Sequence, residues 1–370
     1  FQMQSYYPKD NNAILEINLK ALSKNYKLIK KNLKTNTECA ATVKADAYGI
    51  GAIKVVKRLI DDGCKTFFAA HLSESVELRK ISKKIRIFCY HGIDEKNYRE
   101  FTKFNIIPIA NSIDQLNLIN KLNKKNKFNR AIAIHFDTGM SRLGLDENET
   151  NQLITNKIKY KSLKIDLVMS HLACSDQKRH SMNTKQLDKF GIIRKHFPNS
   201  KASLANSAGI FINKKYHFDL VRPGIALYGG NPFLNSKINF HHVIKLKARL
   251  IQIRSIKKND TVGYGATFKA KKNMYIGTIA VGYADGFDRK FSNNMKVYFR
   301  NKPLKVLGRV SMDLMTIDLT PIYTAKIYNK LIYVDVINKF NNINILSARI
   351  NTIPYEILTS LGNRYKRKYI

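Results

Sequence analysis

From residue 39 to residue 229, short runs of apolar β-formers alternate with stretches whose apolar residues recur at helical spacing. This is the pattern of repeated strand–helix units around a parallel sheet. The strands fall at residues 39–44, 66–71, 85–90, 106–110, 131–137, 165–171, 202–207 and 220–228. Helical stretches occupy 53–61, 74–81, 113–122, 147–154 and 184–196, several opened by a Ser, Thr or Asp cap. Eight such strands predict an α/β fold built on an N-terminal (β/α)8 TIM-type barrel. A helix over 19–33, capped by Asn18 behind a short strand at 13–17, enters as the first outer element. After Gly229-Gly230-Asn231-Pro232 the pattern changes to strands and turns, at 243–256, 261–264, 275–280, 296–299, 304–307, 314–318 and 331–334. The expected division is therefore a barrel over 1–238 and a C-terminal, mostly-β domain over 239–370.

Composition narrows the function classes. With 370 residues, 44% hydrophobic and 25% charged, the chain is globular material rather than a disordered segment. No run approaches the roughly eighteen consecutive apolar residues of a membrane span, and residues 1–12 lack the apolar core of a secretory signal. A cytoplasmic protein is expected. Cys39, Cys64, Cys89 and Cys174 lie far apart with no C-x-x-C spacing, which argues against a disulfide framework and against a metal cluster. The formal charge of +38, from 65 basic against 27 acidic residues, raises nucleic-acid or membrane binding as a class. The lysines are spread over the whole length, however, and charge alone gives salt-sensitive, non-specific affinity. Neither a specific nucleic acid nor a membrane is expected as partner.

Active sites of such barrels gather where the strands end at the C-terminal face. The strand ends here carry Lys44, His71, His91, Asn111, Asp137, His171, Asn206, Ser207 and Arg222. Lys44 closes a buried-looking strand; a lysine in low dielectric becomes a neutral amine able to condense with an aldehyde. Taken singly it reads more readily as a lysine snorkelling from the barrel end, since lysine is mostly solvated. Ser207, in Ala205-Asn206-Ser207-Ala208-Gly209, and the amides of Gly224 and Ile225 suit a phosphate, which loops seven and eight of such barrels commonly hold. The same segments also read as two well-capped turns. An amine on one side of the mouth and a phosphate cradle on the other suit pyridoxal 5'-phosphate.

Val43-Lys44-Ala45-Asp46-Ala47-Tyr48-Gly49-Ile50-Gly51 closely resembles the cofactor-lysine motif of the alanine racemases. Further resemblances follow in family order: Asp137-Thr138-Gly139-Met140-Ser141-Arg142-Leu143-Gly144, Ser170-His171-Leu172-Ala173, Ala205-Asn206-Ser207-Ala208, and Val221-Arg222-Pro223-Gly224-Ile225. In the second domain they are Val262-Gly263-Tyr264-Gly265, Val281-Gly282-Tyr283-Ala284-Asp285-Gly286 and Gly308-Arg309-Val310-Ser311-Met312-Asp313. The resemblance implies that Lys44 holds the cofactor and is one of two catalytic bases. It makes Tyr264 the other, reaching the active site of a partner subunit in a head-to-tail homodimer. It places Tyr48, Ser207, Gly224, Ile225 and Tyr369 on the phosphate and Arg222 opposite the pyridine nitrogen, with His171 orienting Arg222. Arg142 contacts the cofactor or substrate, and Met312 and Asp313 lie near the substrate carboxylate.

The chemistry agrees with these implied roles. Racemisation takes a proton from one face of the α-carbon and returns it on the other, so two bases on opposite sides are the simplest machine. Arginine keeps its proton, so Arg222 leaves the pyridine nitrogen unprotonated and favours simple reprotonation over transamination. Tyr264 needs cationic neighbours or hydrogen bonds to act as a base near neutrality; Arg142 and His171 are the candidates. Two departures stand out. Many alanine racemases carry a carbamylated lysine two residues before the Asp-Thr-Gly-Met motif, where this chain has His135; their terminal motif usually has a proline where Lys366 stands. The expected activity is interconversion of L- and D-alanine, supplying D-alanine for peptidoglycan; a broad-specificity amino-acid racemase of the same fold is the alternative.

Overall fold

The computed structural model describes residues 12–233, 238–324 and 332–370. They form two compact units: Leu22–His241, and the segment up to Ala21 together with His242–Ile370.

In the first unit a parallel sheet runs in chain order through Ala41–Thr42, Thr66–Ala69, Arg86–Cys89, Ile107–Ala110, Ala131–His135, Lys164–Met169 and Lys201–Ser203. Glu38–Cys39, which leads directly into the first of these, pairs with Leu220–Val221. Ring closure is completed by backbone bonds from Ala40 N to Val221 O (3.0 Å), Asp219 N to Ala202 O (3.1 Å) and Arg222 N to Ala205 O (3.0 Å). The eight-stranded barrel expected from the alternation is therefore present. Its lumen is filled from the strands themselves: Ala40, Phe68, Phe88, Ile109, Ala133, Leu167, Met169 and Leu220 form one buried cluster in which large and small residues complement each other. The alternate positions, such as Phe67, Ile87, Ile132, Ile134 and Val168, are also buried, beneath the surrounding helices. Burial on both faces is why these strands read as near-continuous apolar runs.

The last strand is shorter than the expected 220–228. Pro223 contributes no N–H, and residues 224–228 turn on themselves through Leu227 N to Gly224 O (2.9 Å) and Tyr228 N to Ile225 O (3.1 Å). Ile225, Ala226, Leu227 and Tyr228 are fully buried, and a short apolar run does not reveal by itself whether it is extended or coiled.

In the second unit, strands Met274–Ile279, Met315–Asp318, Lys302–Leu307, Lys296–Phe299, Tyr333–Ile337 and Ile244–Ile256 pair in that order, and Ile244–Ile256 pairs back to Met274–Ile279 to close a ring. Residue 331, the first of the expected strand 331–334, lies outside the described residues. Ala13–Ile17 extends this sheet, antiparallel to Ile244–Ala248 and parallel to Lys366–Tyr369. The strand at the start of the chain thus belongs to the β unit, and helix Leu19–Lys31 leads from it into the barrel unit.

Candidate active site

Lys44 follows the first barrel strand and opens a turn over Lys44–Gly49. Ala45, Asp46, Ala47 and Tyr48 all have left-handed backbone angles, with φ of 52, 52, 52 and 58°, and the turn is closed by Ala47 N donating to Val43 O at 2.9 Å. A left-handed conformation costs an L-residue roughly 1–2 kcal/mol, so this segment persists only where its surroundings over-determine it. Three devices do so. Glu74 Oε1 accepts the Ala45 N–H at 2.6 Å, Asp46 Oδ1 accepts the Ala52 N–H at 2.7 Å, and the Tyr48 ring packs on Tyr228 at 4.7 Å between centroids. The turn leaves the Lys44 side chain exposed at the barrel mouth. Partial desolvation and the nearby Arg142 guanidinium hold its ammonium below the ordinary lysine range, against a smaller upward pull from Glu74. Its Nζ lies 5.9 Å from the centre of the Tyr90 ring.

Arg222 is 2% exposed. Its Nη1 donates to Ser203 O (3.0 Å) and Ser203 Oγ (2.7 Å), and its Nη2 to Ser170 O (2.5 Å) and Leu204 O (3.4 Å). The strands themselves, rather than the expected His171 ring, receive these bonds. The Tyr90 hydroxyl faces the guanidinium, and Nε itself is buried without a hydrogen-bond partner of good geometry among the described residues.

Beside it, Ser207 Oγ accepts the N–H groups of Gly224 (2.9 Å) and Ala226 (3.3 Å), so the loops after the seventh and eighth strands meet as expected. Tyr48 joins them: a Cβ built on Gly224 would lie 2.2 Å from the Tyr48 hydroxyl oxygen. Only glycine lets that hydroxyl sit there. Gly224→Ala is expected to displace Tyr48 and weaken affinity for pyridoxal phosphate by roughly five- to a hundredfold, the range of overpacking costs. Equilibrium titration of the apoprotein checks this, and unchanged affinity would show that the Tyr48–Gly224 approach is immaterial to binding.

Arg142 projects from a loop shaped by Asp137, whose Oδ1 accepts three amide N–H groups, from Gly139 (2.8 Å), Met140 (2.9 Å) and Ser141 (3.1 Å). Burial pushes the Asp137 carboxyl upward, but these donors outweigh it and hold it below the usual range. At His135, Asn111 sets the arrangement. The Asn111 amide donates to Tyr90 O (2.8 Å) and Ile109 O (3.0 Å), which leaves its Oδ1 as the acceptor facing His135 Nδ1 at 3.0 Å. The neutral ring is therefore assigned its proton on Nδ1, with the Nε2 lone pair exposed to its surroundings. Burial, followed by the charge of Arg222, lowers the His135 pKa to about 3. His171 is likewise held neutral, by desolvation first and then by Arg222 and Arg142. A neutral imidazole acts through its hydrogen-bonding nitrogens rather than through charge.

These two imidazoles give a pH prediction with a definite sign. Unfolded histidine takes up a proton near pH 6.5, whereas folded His135 does so at about 3. Between those values the unfolded chain binds more protons, so stability is full above pH 6.5 and is lost as pH falls toward 3. Each such histidine contributes a slope of up to about 1.4 kcal/mol per pH unit. Urea unfolding between pH 4 and 7 checks it: His135→Gln should flatten the acid loss by up to that amount, and an identical slope would contradict a neutral, buried ring.

In the β unit, Tyr264 opens the short turn Tyr264–Ala266 after Gly263 and is 71% exposed. Gly263 abuts the segment that leads to Met312: a Cβ there would lie 3.2 Å from Arg309 N. Tyr283 N and Ala284 N donate to Ser311 O (3.0 Å) and Met312 O (2.9 Å). Met312 is 53% exposed, while Asp313 is engaged by Arg364 Nη1 at 2.7 Å. Tyr369 ends the terminal strand, in register with Ile17. Asn111 was read as one of the polar strand ends, whereas Glu74 and Tyr90 were not singled out on the sequence, although Tyr90 ends the strand expected at 85–90.

Comparison with known proteins completes the picture. Residues 17–232 match the family described as alanine racemase, N-terminal domain, and residues 243–369 match alanine racemase, C-terminal domain. The chain is 40% identical to the alanine racemase of Rickettsia canadensis over 356 residues, covering 96% of this chain and 98% of that protein. It is also 40% identical to that of Rickettsia rickettsii over 357 residues, with the same coverage of 96% and 98%. Among solved structures, the alanine racemase from Bartonella henselae with covalently bound pyridoxal phosphate is similar at a TM-score of 0.91 and 38% identity, over 97% of this chain and 99% of that one. The biosynthetic alanine racemase from Pseudomonas aeruginosa is similar at 0.87 and 28% identity, over 97% and 99% respectively.

Proposed function

Since the chain belongs to the alanine racemase family, we propose that it interconverts L- and D-alanine with pyridoxal 5'-phosphate held at the barrel mouth. The observation that carries this reading is the buried, unpartnered Nε of Arg222, one donor left over in a site that also holds Lys44 and the Ser207–Gly224–Tyr48 cradle. A pyridine nitrogen is an acceptor of the right kind for that donor. When bound, the cofactor withdraws electrons from the substrate α-carbon so that its proton becomes removable.

The chain's own residues do the rest. Lys44 would hold the cofactor through its amine and would serve as the base that moves the α-proton on one face. Its lowered proton affinity raises the fraction of free amine near neutrality. Arg222, fixed by Ser203, Ser170 and Leu204, donates to the pyridine nitrogen without surrendering its proton. Ser207, Tyr48 and the amides of Gly224 and Ile225 would take the phosphate, the Gly224 N–H turning to it from Ser207 Oγ; Tyr369 is a phosphate contact only by the family resemblance. Arg142 contacts the cofactor or substrate, with His171 neutral beside the site.

Tyr264 moves the α-proton on the opposite face, contributed by a partner subunit together with Met312 and Asp313. The exposure of Tyr264 (71%), Met312 (53%), Tyr283 (42%) and Leu314 (37%) supports this assembly. Two of these lie in a single loop bonded to the third, an apolar grouping that a second copy would cover. Among the described residues no helix is long and apolar enough to cross a membrane. We place the reaction in the cytoplasm, as a source of D-alanine for peptidoglycan.

The test incubates the protein, pyridoxal phosphate and single L-amino acids in D2O, following α-proton loss and the D-enantiomer together. Exchange with inversion confined to alanine supports the reading. Inversion across many side chains replaces it with a broad-specificity racemase, and no exchange at all overturns it.

A further inference from the structure

Glu74 sits in the first turn of helix Leu72–Ile81, where Oε2 accepts the N–H groups of Ala70 (2.9 Å) and His71 (3.1 Å). That is the carboxylate half of a capping box, and one oxygen completes it. The other oxygen is not spent on the helix. Oε1 turns away to the Ala45 N–H at 2.6 Å, a bond spanning 29 positions of sequence to the residue immediately after Lys44 and the first of the left-handed run.

We propose that Glu74 is a positioning residue for Lys44: its carboxylate straps the left-handed turn to the end of the second barrel strand and so fixes the direction in which the lysine amine leaves the barrel wall. The inference rests on the proposed function in one respect, that Lys44 is the residue that takes the cofactor. The strap itself stands on geometry. The two ends it joins are rigid, since Ala70 follows strand Thr66–Ala69 directly and Val43 N donates to Phe68 O at 2.9 Å on that same strand. Between them the turn has unfavourable backbone angles at Ala45, Asp46, Ala47 and Tyr48, and a charge-assisted bond holds the first of these residues.

Glutamine separates the strap from the cap. Glu74→Gln keeps one carbonyl oxygen for Ala70 and His71, as glutamine does in natural capping boxes. It then presents an NH2 group to the Ala45 N–H, donor against donor. Electrostatics alone predicts the opposite functional outcome: the Glu74 charge raises Lys44 proton affinity, so neutralising it would leave more free amine and speed condensation with an aldehyde. Loss of positioning slows it.

The experiment compares wild type, Glu74→Gln and Glu74→Ala as apoproteins. One readout is amide hydrogen exchange of the peptide covering residues 44–49 against one covering 72–81. The other is the rate at which added pyridoxal phosphate is captured, a reaction in which the Lys44 nitrogen attacks the aldehyde carbon, a C=N bond forms and water leaves. Borohydride trapping and peptide mapping confirm the site. In Glu74→Gln we expect exchange in 44–49 to rise and capture to slow, each by roughly tenfold or more, the scale of a lost hydrogen bond to a charged group. The 72–81 peptide should be unchanged. Capture that is unchanged or faster in Glu74→Gln, or exchange in 44–49 unchanged in both variants, overturns the proposal. If wild type itself captures no cofactor at Lys44, the proposed function fails and the positioning role fails with it, while the exchange arm still decides whether the strap exists.

Discussion

Lys44→Ala is expected to fold as the wild type does and to lose racemisation by at least about 10⁴-fold, because two contributions vanish with one side chain. General base catalysis by a positioned group is worth about 10²–10⁴-fold, and covalent attachment of the cofactor supplies orientation that free diffusion does not replace. Stability should move little. The side chain is exposed, and the left-handed turn is held through backbone groups by Glu74 and Asp46 rather than by the lysine; substitutions at such positions fall within about 0.5 kcal/mol. Circular dichroism, urea unfolding and D-alanine formation from L-alanine check the pair of outcomes together. A Lys44→Ala protein that keeps more than a hundredth of the wild-type rate would remove Lys44 from the mechanism. A protein that unfolds would show instead that the turn depends on its first residue.

How much of this was legible in the sequence depended on whether a feature was local. The barrel strands announced themselves because burial on both faces leaves continuous apolar runs, as in Thr66–Ala69 and Arg86–Cys89. The polar groups at their ends followed from the barrel geometry, and Lys44, Ser207, Gly224 and Arg222 all stand in that unit as read. The left-handed turn did not follow, because Ala-Asp-Ala-Tyr carries no local preference for such angles. Part of what holds it comes from outside, through Glu74, and a bond between positions 45 and 74 has no signature in either segment. Ala13–Ile17 showed its alternating burial as a strand should, yet pattern alone names no partner, and its partners lie more than two hundred residues on. Lys366–Tyr369 escaped notice as a strand for the opposite reason. Its Lys-Arg-Lys-Tyr sequence has little apolar content and is held by backbone pairing at a sheet edge, where charged side chains are the usual protection against further pairing. The charge states of His135 and His171 were equally hidden, since they arise from burial beside Arg222.

Tyr264→Phe should cost about 10²–10⁴ in the rate of racemisation, the worth of one positioned acid–base group, while leaving fold and assembly intact. The side chain is 71% exposed within its own chain, and phenylalanine keeps the ring that a partner surface would cover. Its effect differs in kind from that of Lys44→Ala. With Lys44 in place, one face of the α-carbon retains its base, so a proton can still leave and return on that face without inversion. The expected result in D2O is that deuterium enters the α-position of one alanine enantiomer at a rate close to that of wild type, while neither enantiomer inverts appreciably. Hydroxyl and amine are thereby separated: loss of the amine stops exchange with both enantiomers, and loss of the hydroxyl stops exchange with only one. Unimpaired inversion in Tyr264→Phe would exclude the tyrosine as the second base. Equal loss of exchange with both enantiomers would mean that Tyr264 shapes the site rather than carrying a proton, since a two-sided reaction cannot lose both sides with the removal of one oxygen.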